Sequence, residues 1–452
     1  MKTTTLAAFS IGLCCLSTAH SQTEFPAVLA GHALIPAFTL LQAPKDAPAD
    51  LRISGKFTTG VRVQEIGSIE GKSANRPTGV SLPFRGQPVQ GHSGIKRMPD
   101  GSYWVLTDNG FGSKANSPDA MLYLNRYTID WKAGNLQRQQ TIFLHDPDKK
   151  VPFRIVHEGS PNRYLTGADF DTESFQFAGG AIWIGDELGP WLIKTDMKGK
   201  VLAVFETMVD GKPARSPDHP SVLTPAAPNL ALDFTVRRSR GFEGMAASKD
   251  GTKLYAMLEG AIWDASTKET EKLEGREYLR VLEFDVASER WTGRHWKYVL
   301  ESNGLAIGDF NMIDETTALV IERDNGEGTP DKACPTVGGA IQRAVNCFHD
   351  LPKVKRVYKI EMSQAIVNGP VRKIGYVDLL AIDDPNNLAR KPKVDGKLSF
   401  PFFTIENVDI VDAEHIIVGN DNNLPFSSSR EPNKADDNEF VLLRVPQLIQ
   451  AK

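Results

Sequence analysis

The sequence predicts an all-β fold, specifically a β-propeller of four-stranded antiparallel blades. Runs of strand length recur along the chain, long amphipathic helical patterns are scarce, and one short acid-flanked pattern is repeated five times. Repetition at this scale indicates an array of similar β-modules. Blades arranged around a central channel bury both faces of each sheet and leave only short edges.

Each repeat opens on a polar or acidic residue, continues through two apolar runs joined by a turn, and closes on acids. The openings are Ser93, Glu173, Glu243, Asp309 and Glu406, and the closings are Asp108, Asp186–Glu187, Glu259, Glu322–Asp324 and Asn420–Asp421. Opening and closing lie 13 to 16 residues apart, which fits a strand, a tight turn and a returning strand. We therefore expect the acids to gather on one face.

The number of blades is less constrained than the architecture. Successive openings are separated by 80, 70, 66 and 97 residues, more than the ~40 to 50 residues of a usual blade. Five modules are visible, so we expect five or six blades, with seven as the upper bound. A two-sheet sandwich is the alternative, and it would place successive opening acids on different edges.

The chain divides into a signal peptide over 1–21, an extended lead-in over 22–55 and a single propeller domain over 56–447. A basic start, the apolar run 6–16 and the small-x-small sequence Ala19-His20-Ser21 predict export to the periplasm or the extracellular space. The apolar run is too short to span a membrane. Alternation over Phe57 to Ile69 predicts a strand, which we expect to close the ring in one sheet with Phe440 to Val445.

Composition limits the partners. A formal net charge of −4 offers no basic field for nucleic acid or an anionic membrane. We expect a monomer that binds a small anionic or ester substrate. No P-loop, GxGxxG or HExxH motif is present, and Gly91-His92-Ser93-Gly94 lacks the spacing of a nucleophile elbow.

Two cysteines, Cys334 and Cys347, remain beyond the predicted signal peptide. In an oxidising compartment two such thiols predict a disulfide, because no CxxC or Cys/His cluster supports a metal site instead. The bridge would close an insertion after the Glu322 closing.

Carboxylates that converge near one axis repel one another unless a cation lies among them. Oxygen ligands drawn from several blades suit Ca²⁺, and Mg²⁺ is the second choice. The predicted metal ligands are Glu173, Glu187, Glu243, Glu259, Asp309, Glu322 and Glu406, with Asp108, Asp169, Asp171 and Asp421 behind them. The alternative is that each acid only accepts backbone N–H groups at a strand end.

Four residues are the candidates for catalysis: Glu243, Arg240, Arg323 and His92. An arginine presents a fork of donors that matches phosphate or carboxylate oxygens, so Arg240 and Arg323 are placed to orient an anionic substrate. Salt bridges to the neighbouring acids are the alternative for both. His92 stands beside the first opening as a candidate general acid, although a lone histidine is usually structural.

At these motifs the chain resembles the bacterial phytase-like family, described as having esterase-like activity of phytase. The resemblance is carried by Gly167-Ala168-Asp169-Phe170-Asp171-Thr172-Glu173, Trp183-Ile184-Gly185-Asp186-Glu187, Gly241-Phe242-Glu243-Gly244, Ile321-Glu322-Arg323-Asp324-Asn325 and Ile405-Glu406-Asn407. It extends from about residue 90 to 445. It implies an exported propeller and a phosphoester hydrolase, with phytate itself an extrapolation.

Three functions follow from these expectations. The first is a metal-dependent phosphoesterase. The second is a metal-dependent lactonase or carboxylesterase, and the third is a non-catalytic propeller that binds a ligand and uses the metal structurally. The fold alone does not choose among them.

Overall fold

The structure is a computed structural model that describes residues 22–227 and 229–452. The predicted signal peptide lies outside the described residues. Within them the chain is nearly all strand and loop, with an α-helix at Pro446–Gln450 and 3-10 helices at Ala49–Arg52, Pro330–Lys332 and Gln364–Ile366. The all-β prediction is confirmed. No helix in this part of the chain is long and apolar enough to cross a membrane.

Five units of four antiparallel strands, numbered I to V here, make up most of the chain. Their first strands, called the inner strands, are His92–Arg97, Thr172–Ala178, Phe242–Ala247, Ala306–Met312 and Ile405–Ile410. The second strands are Tyr103–Thr107, Ala181–Asp186, Lys253–Leu258, Thr317–Arg323 and His415–Asn420. The third strands are Tyr123–Asp130, Trp191–Thr195, Arg276–Asp285, Lys355–Glu361 and Asn438–Arg444. The fourth strands are Asn135–Phe143, Val201–Glu206, Arg290–Val299, Arg372–Asp378 and Val28–Ile35.

Shorter strands decorate these units. They are Thr23–Phe25, Leu40–Leu41, Ile69–Ser73, Arg76–Leu82, Gln87–Pro88, Met208–Val209, Lys212–Pro213, Trp263–Asp264, Glu269–Thr270, Lys272–Leu273, Thr336–Val337, Ala340–Ile341, Ile382–Asp383 and Lys397–Leu398.

The inner strands lie side by side in the order I to V, and the inner strand of unit V also contacts that of unit I. The five units therefore close a propeller-like ring. A small residue after the opening acid permits this approach, because a Cβ on Gly244 would lie 2.8 Å from the Cβ of Phe310 in the next inner strand.

The hydrophobic core lies between neighbouring units. Trp183 of unit II packs with Phe242 of unit III in one buried cluster, for example, and Ile417 of unit V packs with Val105 of unit I in another. Further clusters join units I and II, III and IV, and IV and V. The first and second strands of each unit are thus buried on both faces. Their apolar residues therefore form continuous runs more often than an alternating pattern.

The ring closes with a different strand from the one predicted. Val28–Ile35 pairs antiparallel with Asn438–Arg444, so the start of the lead-in completes unit V. The predicted strand over Phe57 to Ile69 is wrong, because turns, bends and irregular loop occupy 57–68 and strand begins only at Ile69. Its alternation belongs to a loop at the surface, where Val61 is 67% exposed.

The predicted disulfide between Cys334 and Cys347 is present. It lies in an insertion, residues 324–354, between the second and third strands of unit IV. The hairpin Thr336–Val337 and Ala340–Ile341 occupies the loop that the disulfide closes.

Candidate functional site

One end of the ring holds a cavity of ≈310 Å³, called the acidic cavity, to which all five units contribute. Its lining residues are Asp108, Asn109, Gly112, Asp171, Glu173, Glu187, Ser239, Arg240, Glu243, Glu259, Arg323, Asn325, Phe403, Thr404, Glu406, Asp421 and Asn423. The expectation that the repeated acids share one face therefore holds for most of them.

A β-bulge places the opening acid in three units. Strand pairing passes from Thr172 directly to Ser174, and in the same way it skips Glu243 and Glu406. A bulge leaves the extra residue unpaired and redirects its side chain. Glu173, Glu243 and Glu406 consequently line the acidic cavity rather than a face of their sheets.

The second strands supply a further set of residues at one common position. The residue before each bulge pairs with Thr107, Asp186, Leu258, Glu322 or Asn420. The residue that follows each of these lines the cavity in every unit, and the five are Asp108, Glu187, Glu259, Arg323 and Asp421.

The cavity concentrates negative charge in a buried place. Its carboxylates are Asp108, Asp171, Glu173, Glu187, Glu243, Glu259, Glu406 and Asp421, against the two guanidinium groups of Arg240 and Arg323. Burial and the neighbouring carboxylates raise the pKa of Glu173, Glu187, Glu243 and Asp421 well above the ordinary value. The same causes raise the pKa of Asp108 to about 7. A positive charge among these carboxylates would stabilise their ionised forms.

Three of the glutamates are held without hydrogen-bond donors. Glu173, Glu187 and Glu243 are 9%, 7% and 5% exposed. No amide, hydroxyl, ammonium or guanidinium group of the described residues donates to their carboxylates. Buried carboxylates ordinarily accept hydrogen bonds from such groups. A cation is the kind of partner that would take the place of these donors here.

The donor geometry suits a hard cation. Carboxylate oxygens come within 4.8 Å of one another in three overlapping groups, which are Asp171 with Glu173 and Glu187, Glu173 with Glu243 and Glu406, and Glu187 with Glu243 and Glu259. Oxygen-only ligand sets of this kind match Ca²⁺ or Mg²⁺.

The two arginines are held by acids of the cavity. Nη2 of Arg323 lies 3.1 Å from Oε1 of Glu406 and 3.7 Å from Oε1 of Glu259. Nη1 of Arg240 lies 2.5 Å from Oε2 of Glu259. The Arg240 side chain is 39% exposed, so its remaining N–H groups face solvent and an incoming ligand.

Two predicted ligands, Asp309 and Glu322, do not line the acidic cavity. Each stands one residue away from the position of its strand that corresponds to a cavity residue in the other units. In unit IV the position of the opening acid falls on Gly308, and Asp309 accepts backbone N–H groups of Ile95 and Val408. Glu322 is buried where the Tyr298 hydroxyl and the Lys373 ammonium donate to it. Arg323 takes the cavity position of that strand.

His92 also lies outside the cavity, although it was a candidate for catalysis. The side chain is fully buried, and its ring centroid lies 6.0 Å from that of Tyr127 and 5.8 Å from that of Phe440. Burial lowers the pKa of His92 to about 3. A neutral imidazole packed among aromatic rings has no route to a substrate in the acidic cavity.

Sequence analysis did not select several neutral cavity residues. Asn325 accepts from Nη1 of Arg323 at 3.1 Å, and Asn423 donates to the hydroxyl of Thr404 at 2.6 Å. Phe403 lies on the same rim and is 39% exposed. Asn325 and Asn423 each follow a closing acid by one or two positions, which is the signal that could have identified them.

Comparison with known proteins gives a family and distant structural similarity. The profile of a family described as phytase-like, esterase-like activity of phytase, matches residues 87–424. An uncharacterised secreted protein of Arthroderma benhamiae is 28% identical over 116 residues, which cover 24% of this chain and only 22% of that relative.

The solved structures are similar only at low level. A periplasmic gluconolactonase of Pseudomonas aeruginosa has 13% identity and a TM-score of 0.32, with 87% of this chain and 99% of that chain covered. A putative 6-phosphogluconolactonase of Bacteroides uniformis has 11% identity and a TM-score of 0.30, with 77% and 87% covered. Similarity at this level carries no argument about activity.

Proposed function

This chain belongs to the phytase-like family, and we propose that it is an exported, metal-dependent hydrolase that acts on phosphoesters in the acidic cavity. We take the five units to be the five blades of a propeller whose channel mouth is this cavity. The predicted signal peptide and the disulfide are both consistent with export.

A single observation carries the proposal. Glu173, Glu187 and Glu243 are more than nine-tenths buried, accept from no amide, hydroxyl, ammonium or guanidinium group of the described residues, and face one cavity with five further carboxylates. Burying ionised carboxylates against one another costs free energy that structure alone does not explain. Calcium ions among these oxygens would compensate that cost.

The cation set proposed here consists of Glu173, Glu187, Glu243, Glu259 and Glu406, with Asp171 in the first group. A bound Ca²⁺ supplies neutralisation of the substrate phosphate and Lewis acidity toward water or the phosphoryl oxygen. Asp309 and Glu322 are not part of this set, since both have other partners.

The arginines position the substrate. Arg240 is oriented by Glu259 and keeps free N–H groups at the open side of the cavity, where a phosphate oxygen would accept them. Arg323 is more deeply buried, at 6% exposure, and holds Glu406 and Glu259 in place while it offsets part of their charge. Glu173, Glu187 and Glu243 each belong to two of the three carboxylate groups, and Glu243 is the one grouped with both acids that pair with Arg323.

A carboxylester or lactone is the second candidate substrate. The family description names esterase-like activity, which favours it. Cations and arginines in this cavity would stabilise the negative charge that develops on oxygen during attack on a carbonyl carbon. They would do the same during attack on phosphorus. Only a substrate panel separates the two.

The test is metal analysis followed by turnover. Purified protein is expected to retain Ca²⁺ through gel filtration and to hydrolyse 4-nitrophenyl phosphate, and a chelator is expected to abolish the activity. Glu243→Gln should lower cation affinity by at least about 100-fold, since it removes a ligand and not merely an outer partner.

Glu414→Gln is the matched control, because Glu414 is a half-exposed acid that pairs with Arg444 and does not line the cavity. It should behave as the wild type. Turnover of 4-nitrophenyl acetate but not of the phosphate would select the second candidate. Cation binding that raises the melting temperature without any turnover would leave a non-catalytic binding module.

A further inference from the structure

A second, larger recess adjoins the acidic cavity. It measures ≈690 Å³ and is formed wholly by the insertion 324–354, and we call it the insertion groove. Asn325 lines both the acidic cavity and the insertion groove. The two recesses therefore meet at Asn325, and a molecule anchored in the first can extend toward the second.

The groove differs in character from the cavity. Ala333, Ile341, Phe348 and Leu351 contribute apolar surface to the groove beside polar Thr336, His349 and Asp350, whereas the charged residues that line the acidic cavity are mainly carboxylates. Ile341 is 48% exposed, and Phe403 presents an exposed ring on the neighbouring rim of the cavity. Exposed apolar surface beside a polar site is typical of a ligand-binding pocket, in which the apolar part of the ligand buries that surface.

The groove is also held in place. The disulfide joins both ends of its hairpin loop, and the Asp324 carboxylate accepts the backbone N–H groups of Lys353 and Val354. The buried ammonium of Lys355 donates to the backbone oxygens of Asp324 and Phe403, at 2.6 and 3.2 Å. That contact fixes the groove relative to the cavity rim.

We propose that the insertion groove is the subsite for the alcohol part of the ester, and that the preferred substrates carry an apolar, ring-sized alcohol. This inference rests on the proposed function, because the acidic cavity must hold the phosphate. A polyphosphorylated alcohol would place charged groups against the exposed Ile341 and near the carboxylates of Asp324 and Asp350, so such substrates are disfavoured.

Two substrates distinguish this preference. The Ca²⁺-loaded protein should hydrolyse 2-naphthyl phosphate with a KM about 10-fold below that for glycerol 2-phosphate, because apolar contacts in a pocket discriminate by about this factor. Ile341→Asp should raise the KM for the naphthyl ester about 10-fold and leave its kcat unchanged. The KM for glycerol 2-phosphate should not change.

Two further variants bracket the result. Ile341→Ala keeps an apolar surface and should raise the KM for the naphthyl ester by about threefold. Val61→Asp places the same charge at a residue that is 67% exposed and lines neither recess, and it should have no effect. Equal effects of Ile341→Asp on both substrates, or no effect on either, would overturn the subsite.

Failure of the proposed function gives a different outcome, in which neither phosphate is hydrolysed. The groove is then tested by the fluorescence of 2-naphthol alone. Binding by the wild type that weakens about 10-fold in Ile341→Asp supports the groove as an apolar subsite. Equal binding by both proteins, or none, contradicts it.

Discussion

Units II and IV use the same two strand positions for opposite purposes. Unit II places Glu173 and Glu187 in the acidic cavity, whereas unit IV places Gly308 and Arg323 at the equivalent positions. The repeated strands determine which positions face the cavity, but they do not determine the charge of the residue at each position. Unit IV therefore brings a fixed positive charge to the cavity where unit II brings two carboxylates.

The difference has a chemical consequence. Arg323 stands between Glu259 of unit III and Glu406 of unit V and offsets two carboxylates without any metal. Glu173, Glu187 and Glu243 have no ion-pair partner among the described residues, although Glu243 lies beside both Glu259 and Glu406. We therefore expect cations to bind toward units II and III, next to the open fork of Arg240.

Removing the guanidinium of unit IV should produce the largest effect on stability. Arg323→Met leaves Glu406 buried without its ion-pair partner, while Glu259 keeps Arg240, and breaking a buried ion pair costs about 3 to 5 kcal/mol. Chemical denaturation of the metal-free protein measures the loss. Arg444→Met, which breaks a half-exposed pair with Glu414, is the control and should cost at most about 1 kcal/mol. Equal costs for the two variants would contradict a special role for unit IV.

The missing acid of unit IV has a steric cause that can be tested next. A Cβ on Gly308 would lie 2.1 Å from the backbone oxygen of Ile405, so no glutamate can occupy this position. Gly308→Ala should lower the free energy of unfolding by about 2 kcal/mol through this overpacking. Gly159→Ala meets no atom within 4 Å and should be nearly neutral. A stable Gly308→Ala protein would show that the asymmetry is not imposed by packing.

The smallest expected effect is a dependence of stability on pH in the acidic half. The folded-state pKa of Asp108 is raised to about 7 and those of Glu173, Glu187 and Glu243 are raised well above normal, so the folded state holds protons that the unfolded chain releases. Stability of the metal-free protein is then greatest below the ordinary carboxyl pKa and falls as pH rises through the folded values.

Between pH 6.5 and 8.5 the loss should be about 1.4 kcal/mol for each unit of pKa shift titrated in that window. His92 opposes the trend only at the lower end of the window, because it is neutral in the folded state and its pKa in the unfolded chain is about 6.5. Thermal melts with chelator, repeated with saturating Ca²⁺, measure the effect, and the cation should reverse the trend. A flat profile with chelator would mean that the carboxylates are already neutralised by the protein.

Sequence reasoning found the architecture and most of the cavity because both depend on local repetition. Glu173, Glu187, Glu243, Glu259 and Glu406 each stand at a strand end, and strand ends of similar modules must meet at one face. The strand-pairing register within each unit could not be predicted from the sequence. Glu322 and Arg323 are neighbours in one strand and point to opposite sides, and only the pairing of Ile307 with Glu322 shows which of them faces the cavity.

Ring closure was missed for another reason. Val28–Ile35 is an apolar run interrupted by Gly31 and His32, without the alternation that marks a half-buried strand. It is a strand because its partners lie at the far end of the chain. No local pattern encodes a contact such as that between His32 and Glu439, which are 407 residues apart.

That closure also sets the order of assembly. A ribosome delivers Val28–Ile35 first, yet the strand that it pairs with, Asn438–Arg444, emerges almost last. Early in synthesis the first strand has no edge to join, and the contacts that it must make carry the largest loop-closure entropy in the molecule. The ring of carboxylates therefore comes together only after nearly the whole of this polypeptide has been made, because Glu406 and Asp421 belong to its last unit.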